Sequence, residues 1–227
     1  MDAYAALNDR VLVVRDVEGD PTASERLLGH SFECIEATPA RPERIFAGTV
    51  DAGLLRSTDG GKTWEEVGEF DDRVTAVTSS PHDDEVVWAG TEPSAVYRSD
   101  NGGETWTHPQ EGLEHRYVWG LAVDAADPDT VVVSAASGAR TAHRTATADA
   151  HVYRRTNGVW EHAMEGLPEP SGMVRAVLDS GHSAGEFVAV TNRGVFVTTN
   201  GAQSWEAVAI DWPEEYETQV GRGLAVV

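Results

Sequence analysis

Lysine is almost missing from this chain. Of 17 basic residues among 227, only Lys62 is a lysine, and the other sixteen are arginines. Cysteine is as scarce: Cys34 stands alone, which excludes an intrachain disulfide. Long apolar runs are absent, and none approaches the ~20 residues that a membrane-spanning helix needs. The N-terminal Met-Asp-Ala-Tyr-Ala-Ala-Leu-Asn-Asp has neither the basic nor the apolar region of a secretory signal. Together these absences lead to the expectation of a soluble, cytoplasmic, monomeric protein. Positive charge is also short, 17 basic residues against 38 acidic ones, for a net charge of −21. That sign argues against sequence-independent nucleic-acid binding, which depends on basic surface to displace counterions. The eight histidines are scattered, with no His-x-x-x-His pair or cysteine partner at ligand spacing. Neither a metal nor a cofactor is therefore expected. His143 and His151 flank one loop and are close enough in sequence to meet.

What recurs is an octapeptide. Ser-Thr-Asp-Gly-Gly-Lys-Thr-Trp (57–64) returns as Ser-Asp-Asn-Gly-Gly-Glu-Thr-Trp (99–106) and, worn, as Thr-Thr-Asn-Gly-Ala-Gln-Ser-Trp (198–205). A shortened copy, Arg-Thr-Asn-Gly-Val-Trp, lies at 155–160. Recurrence at this spacing means one supersecondary unit built several times. Around each copy, β-branched and aromatic runs alternate with turn residues. Examples are Arg-Ile-Phe-Ala-Gly-Thr (44–49) and Leu-Leu-Arg (54–56), then Val-Val-Trp-Ala-Gly-Thr (86–91), Glu-Pro-Ser-Ala (92–95) and Val-Tyr-Arg (96–98). This is a hairpin signal. One unit is four short strands, and the octapeptide is the turn between the third and the fourth, with Trp opening the fourth.

The two ends fit the same frame. Residues 4–16 align without gaps on 88–100, and Gly-Arg-Gly-Leu-Ala-Val-Val (221–227) matches the Val-Trp-Gly-Leu-Ala-Val (118–123) that opens the third unit. The N-terminus thus supplies strands two to four of a fifth unit and the C-terminus its first. A ring closed in this way removes free sheet edges. The expectation is a single all-β domain, a five-bladed β-propeller of four-stranded antiparallel blades. The blades cover about 30–70, 71–112, 113–168, 169–213, and 214–227 joined to 1–29.

The octapeptide resembles the Asp-box, or bacterial neuraminidase repeat, of sialidases, sortilin-type receptors and photosystem II assembly factors. The first two copies match fully, the third has Ala202 in place of its second Gly, and the 155–160 copy has lost two residues. Chemically it is a turn-forming device. Asp and Asn bind nearby backbone amides, Gly supplies positive φ, and Trp wedges between sheets. Asp59, Asn101, Asn157 and Asn200, with Trp64, Trp106, Trp160 and Trp205, are therefore read as structural. The resemblance places the box on the side of the propeller away from the binding face. The lysine-poor acidic composition resembles that of haloarchaeal cytosolic proteins, in which surface carboxylates keep the protein solvated in salt.

On the opposite face, where the 4→1 and 2→3 connections emerge, the units differ. The first strands contribute one aligned position each near the channel: Glu33, Thr75, Trp119, Arg175 and Arg222. The loops add His30, Arg73, His115, Arg116, Tyr117, Arg10 and Arg193. The third unit carries a 2→3 insertion, 134–150, with Arg140, His143 and Arg144. Long loops in compact repeats are usually functional or disordered. Arginine clusters suit carboxylate or phosphate. The candidate ligand-binding set is Arg73, Arg116, Tyr117, Trp119, Arg140, His143, Arg144, Arg175, Arg222 and Glu33. It reads as a cationic, partly aromatic cup on a non-catalytic scaffold, for an anionic or glycan ligand or a protein partner. The alternative is a sialidase-like glycoside hydrolase or a lectin. The sialidase resemblance implies an arginine triad with a Tyr–Glu pair, for which Arg116, Arg175, Arg222, Tyr117 and Glu33 or Glu114 are the matching types. The family's six blades and its Arg-Ile-Pro segment are missing.

Overall fold

A computed structural model describes residues 2–38, 40–70, 72–92 and 95–226. Pro93 and Ser94, in the expected 2→3 turn of the second full unit, lie outside these residues, as do Pro39 and Val227. The chain forms five antiparallel sheets in sequence order. The first is β1 (Ala3–Ala6), β2 (Val11–Arg15) and β3 (Thr22–Arg26). The second is β4 (Phe32–Ala37), β5 (Ile45–Thr49), β6 (Leu54–Ser57) and β7 (Glu65–Glu66). The third is β8 (Arg73–Ser79), β9 (Val87–Glu92) and β10 (Ala95–Ser99). The fourth is β11 (Tyr117–Val123), β12 (Val131–Ala136), β13 (His151–Thr156) and β14 (Val159–His162). The fifth is β15 (Val177–Ser180), β16 (Phe187–Thr191), β17 (Gly194–Thr198) and β18 (Glu206–Ala207). No helix is long and apolar enough to cross a membrane among the described residues.

The four-strand unit is complete in three sheets. In the third, the outer strand is reduced to a bridge between Arg98 and Thr107. The C-terminal closure differs from expectation. Residues 221–226 have no ladder partner among the described residues, and β1 pairs only with β2. The segment nevertheless lies innermost, where Arg222, Gly223 and Leu224 line the central channel. Its backbone is satisfied by side chains instead of a ladder. Arg175 donates to the Gly221 carbonyl at 3.1 Å, and the Val226 N–H donates to Asp179 at 2.9 Å. Two glycines in Gly221-Arg222-Gly223 also make an extended strand entropically costly there.

The apolar residues sit between sheets. Trp88 and Val96 of the third sheet pack with Val118, Val133, Tyr153 and Trp160 of the fourth. Ala122 and Val132 of the fourth pack with Leu178, Phe187 and Phe196 of the fifth. Inner strands approach closely. A Cβ on Gly48 would lie 2.6 Å from the Val74 carbonyl oxygen, so only glycine fits at that point. Overpacking of this kind costs about 1–3 kcal/mol, and Gly48→Ala is expected to lower the thermal midpoint accordingly.

The intact boxes act as turn pins. The Asp59 carboxylate accepts from the Lys62 and Thr63 amides, both at 2.9 Å, and from the Thr63 hydroxyl at 2.7 Å. These bonds hold its pKa far below the carboxylate range. Asn101 and Asn200 repeat the pattern with Thr105 and Ser204. Asn157 does not. It and Gly158 both have positive φ, 53° and 88°, and join Thr156 to Val159 as a two-residue type I′ hairpin. The lost residues turned a pinned loop into a tight turn.

The box has a second use. At three seams an arginine of one sheet reaches into the next sheet's turn. Arg15 donates to the Gly60 carbonyl, Arg56 to Gly102 at 2.8 Å, and Arg154 to Gly201 at 3.3 Å. Where the box is shortened, Arg98 pairs with Asp129 instead. The fifth sheet has Val197 where Arg56, Arg98 and Arg154 stand, and no such link among the described residues. Arg56→Ala removes a charge-assisted hydrogen bond worth about 1.5–3 kcal/mol. Differential scanning calorimetry should show a midpoint lowered by roughly 3–12 °C for a chain of this size.

Candidate functional site

The channel end of the sheets is built by backbone irregularities. In β4, β8 and β11 the ladder skips one residue, so Glu33, Thr75 and Trp119 are each unpaired between Phe32 and Cys34, Val74 and Ala76, and Val118 and Gly120. These are the positions aligned from sequence. A bulge bends its strand and re-aims a side chain. Arg175 occupies the same place just before β15 and Arg222 in the C-terminal segment. All five line one cavity of about 540 Å³.

The insertion at 134–150 is ordered. After β12 it forms a short helix α1 (Ala139–His143) and a single 3-10 turn (Thr145–Thr147). Ala142, Ala148 and Ala150 are buried. The strap is fastened to the segment leading into β15. Arg175 N–H donates to the Ala142 carbonyl at 2.9 Å, Gly172 N–H to Ala148 at 2.8 Å, and Ala150 N–H to Met173 at 3.1 Å. This fastening delivers His143 to the channel mouth. His151 goes elsewhere, stacking on His115 at 3.9 Å with His162 nearby, so His143 and His151 do not meet. Among the described residues no group of His, Cys, Asp or Glu is arranged to hold a metal.

At the mouth, polar groups form a continuous series. Arg175 Nε donates to His143 Nδ1 at 3.1 Å, and His143 Nε2 faces the Tyr117 hydroxyl at 3.2 Å. An Nδ1 that accepts requires neutral imidazole with its proton on Nε2. Burial, then the Arg175 and Arg222 charges, push His143 down to about 4, which keeps it in that form. Tyr117 is pushed up to about 12, by burial first and then by the Glu92 carboxylate, to which it hydrogen-bonds. Glu92 pairs with Arg73 at 3.1 Å, and Arg73 reaches Glu33 at 3.4 Å. The Trp119 ring has Tyr117 stacked on it at 6.0 Å and the Arg175 guanidinium 5.1 Å from its centroid.

The arginines sort by partner. Arg10, Arg15, Arg41, Arg44, Arg56, Arg73, Arg98, Arg154 and Arg193 are ion-paired with carboxylates. Three of the face arginines expected from sequence, Arg10, Arg73 and Arg193, are thus neutralised. Arg116, Arg140, Arg144 and Arg222 are exposed and have no ion pair among the described residues. Arg175 is 4% exposed, and its partners are the neutral His143 and the Gly221 carbonyl. Burial, then Arg222, push it down to about 10. Of the carboxylates, Glu114 turns to His162 at 3.6 Å, away from Tyr117. The acid that reaches Tyr117 is Glu92, which sequence reasoning missed. Its position as the last residue of β9, at the channel end of the hairpin, was the available signal.

No family model and no curated protein matches the chain. Solved structures do. It is similar to the GH74 xyloglucanase of Xanthomonas campestris, 17% identical over 91% of this chain and 35% of that one, with a TM-score of 0.67. An ancestral GH74 enzyme is 20% identical over 78% of this chain and 24% of its own, at 0.64. YCF48 of Cyanidioschyzon merolae is 18% identical over 80% and 57%, at 0.53. The shared feature is the β-propeller fold. The chain spans about a quarter to a third of the two GH74 proteins, and identity at this level carries the fold alone.

Proposed function

We propose that this propeller is a non-catalytic binding scaffold whose arginine-rich channel face takes an anionic ligand or an acidic partner segment. One observation carries the reading. In a chain with 38 acidic residues, Arg175 and Arg222 line one cavity, neither has a carboxylate partner among the described residues, and Arg175 is buried. A buried charge left without a counter-charge is costly, so a ligand anion is the natural complement to Arg175. The acidic, lysine-poor remainder of the surface suits a concentrated-salt cytoplasm.

The test is a titration of the protein with citrate, followed by tryptophan fluorescence, with Trp119 as reporter. Wild type should saturate, Arg222→Ala should weaken binding at least tenfold, and Arg10→Ala should leave it unchanged. Equal affinities for all three proteins would overturn the reading.

One observation favours a hydrolase as second reading. Tyr117 hydrogen-bonds Glu92 beside Arg175, and Glu33 and Glu92 meet on one guanidinium nitrogen of Arg73. Against it, both acids are engaged by Arg73 and the Tyr117 hydroxyl holds its proton. Turnover of an aryl sialoside that disappears in Tyr117→Phe would support this reading; no turnover at all would remove it.

A further inference from the structure

Two residues along each inner strand from the mouth position lies a second ring. Ile35, Val77, Leu121, Val177 and Leu224 stand two places after Glu33, Thr75, Trp119, Arg175 and Arg222, and all five line the same cavity. Every member is aliphatic, and none is fully buried by protein. In a core, such side chains would be covered by other side chains. Here they line the channel, although Val77 and Leu121 also pack against the cores between sheets, below a ring in which Arg175 and Arg222 are cationic and Glu33 is paired with Arg73.

Building on the anion-binding reading, we infer that the channel ligand is an amphipathic monocarboxylate, with its carboxylate at Arg175 and Arg222 and an aliphatic body against the second ring. Three features specify this chemistry. Arg175 Nε and Nη2 are engaged by His143 and Gly221, which leaves Nη1 without a protein partner among the described residues, and Arg175 lines the cavity beside Arg222. Two guanidiniums close together match the paired oxygens of one carboxylate. Below them the aliphatic ring offers no hydrogen bond, so a sugar or a second charge placed there would lose its water without compensation. A cavity of about 540 Å³ is within the range of small-molecule sites and accommodates a body of several carbons. Trp119, with Tyr117 stacked behind it, also lines this cavity.

The test is a calorimetric titration of the whole chain with acetate, butanoate, hexanoate and 4-methylpentanoate, and with hexan-1-ol and hexylamine as probes lacking the carboxylate. Each added methylene should tighten binding roughly fourfold as long as it is buried, so that hexanoate exceeds acetate on the order of a hundredfold. The alcohol and the amine should not compete. Leu224→Asn should flatten the chain-length dependence while acetate still binds, whereas Arg222→Ala should weaken all carboxylates alike. Carboxylates that bind with no dependence on chain length would overturn this inference and leave the anionic site standing. Binding of none of them, with citrate also inert, would remove both. A leucine-terminated tripeptide that binds as its free acid more than tenfold tighter than hexanoate would also overturn it, in favour of a polypeptide C-terminus.

Discussion

Trp160→Ala is expected to cost about 3–5 kcal/mol, the range for removing a buried tryptophan from a core. That corresponds to a midpoint lowered by roughly 6–20 °C in a chain of this length. The ring is 2% exposed and packs edge-on against Trp88 at 6.1 Å. Its indole N–H donates to the Pro109 carbonyl at 2.5 Å, fifty-one residues away. Trp205 is built alike, 3% exposed, with its N–H on the Ala163 carbonyl at 2.9 Å. The intact boxes behave otherwise. Trp64 and Trp106 are half-buried and donate to their own turns, to Gly61 at 3.2 Å and Gly103 at 3.1 Å. The copies that have drifted furthest in sequence therefore hold the most stabilising tryptophans, because they bridge to a preceding segment. Thermal unfolding of Trp64→Ala and Trp160→Ala side by side checks this: Trp160→Ala should fall further, and equal losses would refute the distinction.

The second large effect is acid sensitivity. His143 sits at about 4 in the folded protein against about 6.5 for a free histidine, so the unfolded chain binds the proton more readily between those values. Its contribution to stability is complete above about pH 6.5 and is lost as the pH falls towards 4. Protonation would also place an N–H on Nδ1, donor against the Arg175 Nε–H. His151 is lowered in the same direction, by burial first and by His115 and then His162, with Asp149 and Glu114 opposing. Midpoints measured from pH 7 to pH 4 should fall steeply, and the slope should be shallower in His143→Gln. Identical slopes for the two proteins would contradict the assigned state of His143.

Much of this was legible from residue types. Ser57-Thr58-Asp59-Gly60 and its copies announced pinned hairpins, and the aligned first strands put Glu33, Thr75, Trp119, Arg175 and Arg222 at one place. The bulges that aim three of them were not readable, since nothing in Phe32-Glu33-Cys34 distinguishes a skipped ladder residue from a paired one. Arginine roles were hidden for a related reason. Arg73 and Arg175 look alike in sequence, yet the first meets Glu33 and Glu92 while the second meets only neutral acceptors. Pairing across sheets depends on which loops converge. The closing segment was misjudged in detail. Its alternation fits a strand, but Arg175 and Asp179 capture backbone groups that a ladder would have used.

Where an anion binds decides between a ligand site at Arg175 and a merely structural arginine. Crystals of the protein soaked in bromide, with anomalous diffraction recorded at the bromine edge, should show a peak in the channel between the Arg175 and Arg222 guanidiniums. Bromide confined to other surfaces, with water alone beside Arg175, would contradict it.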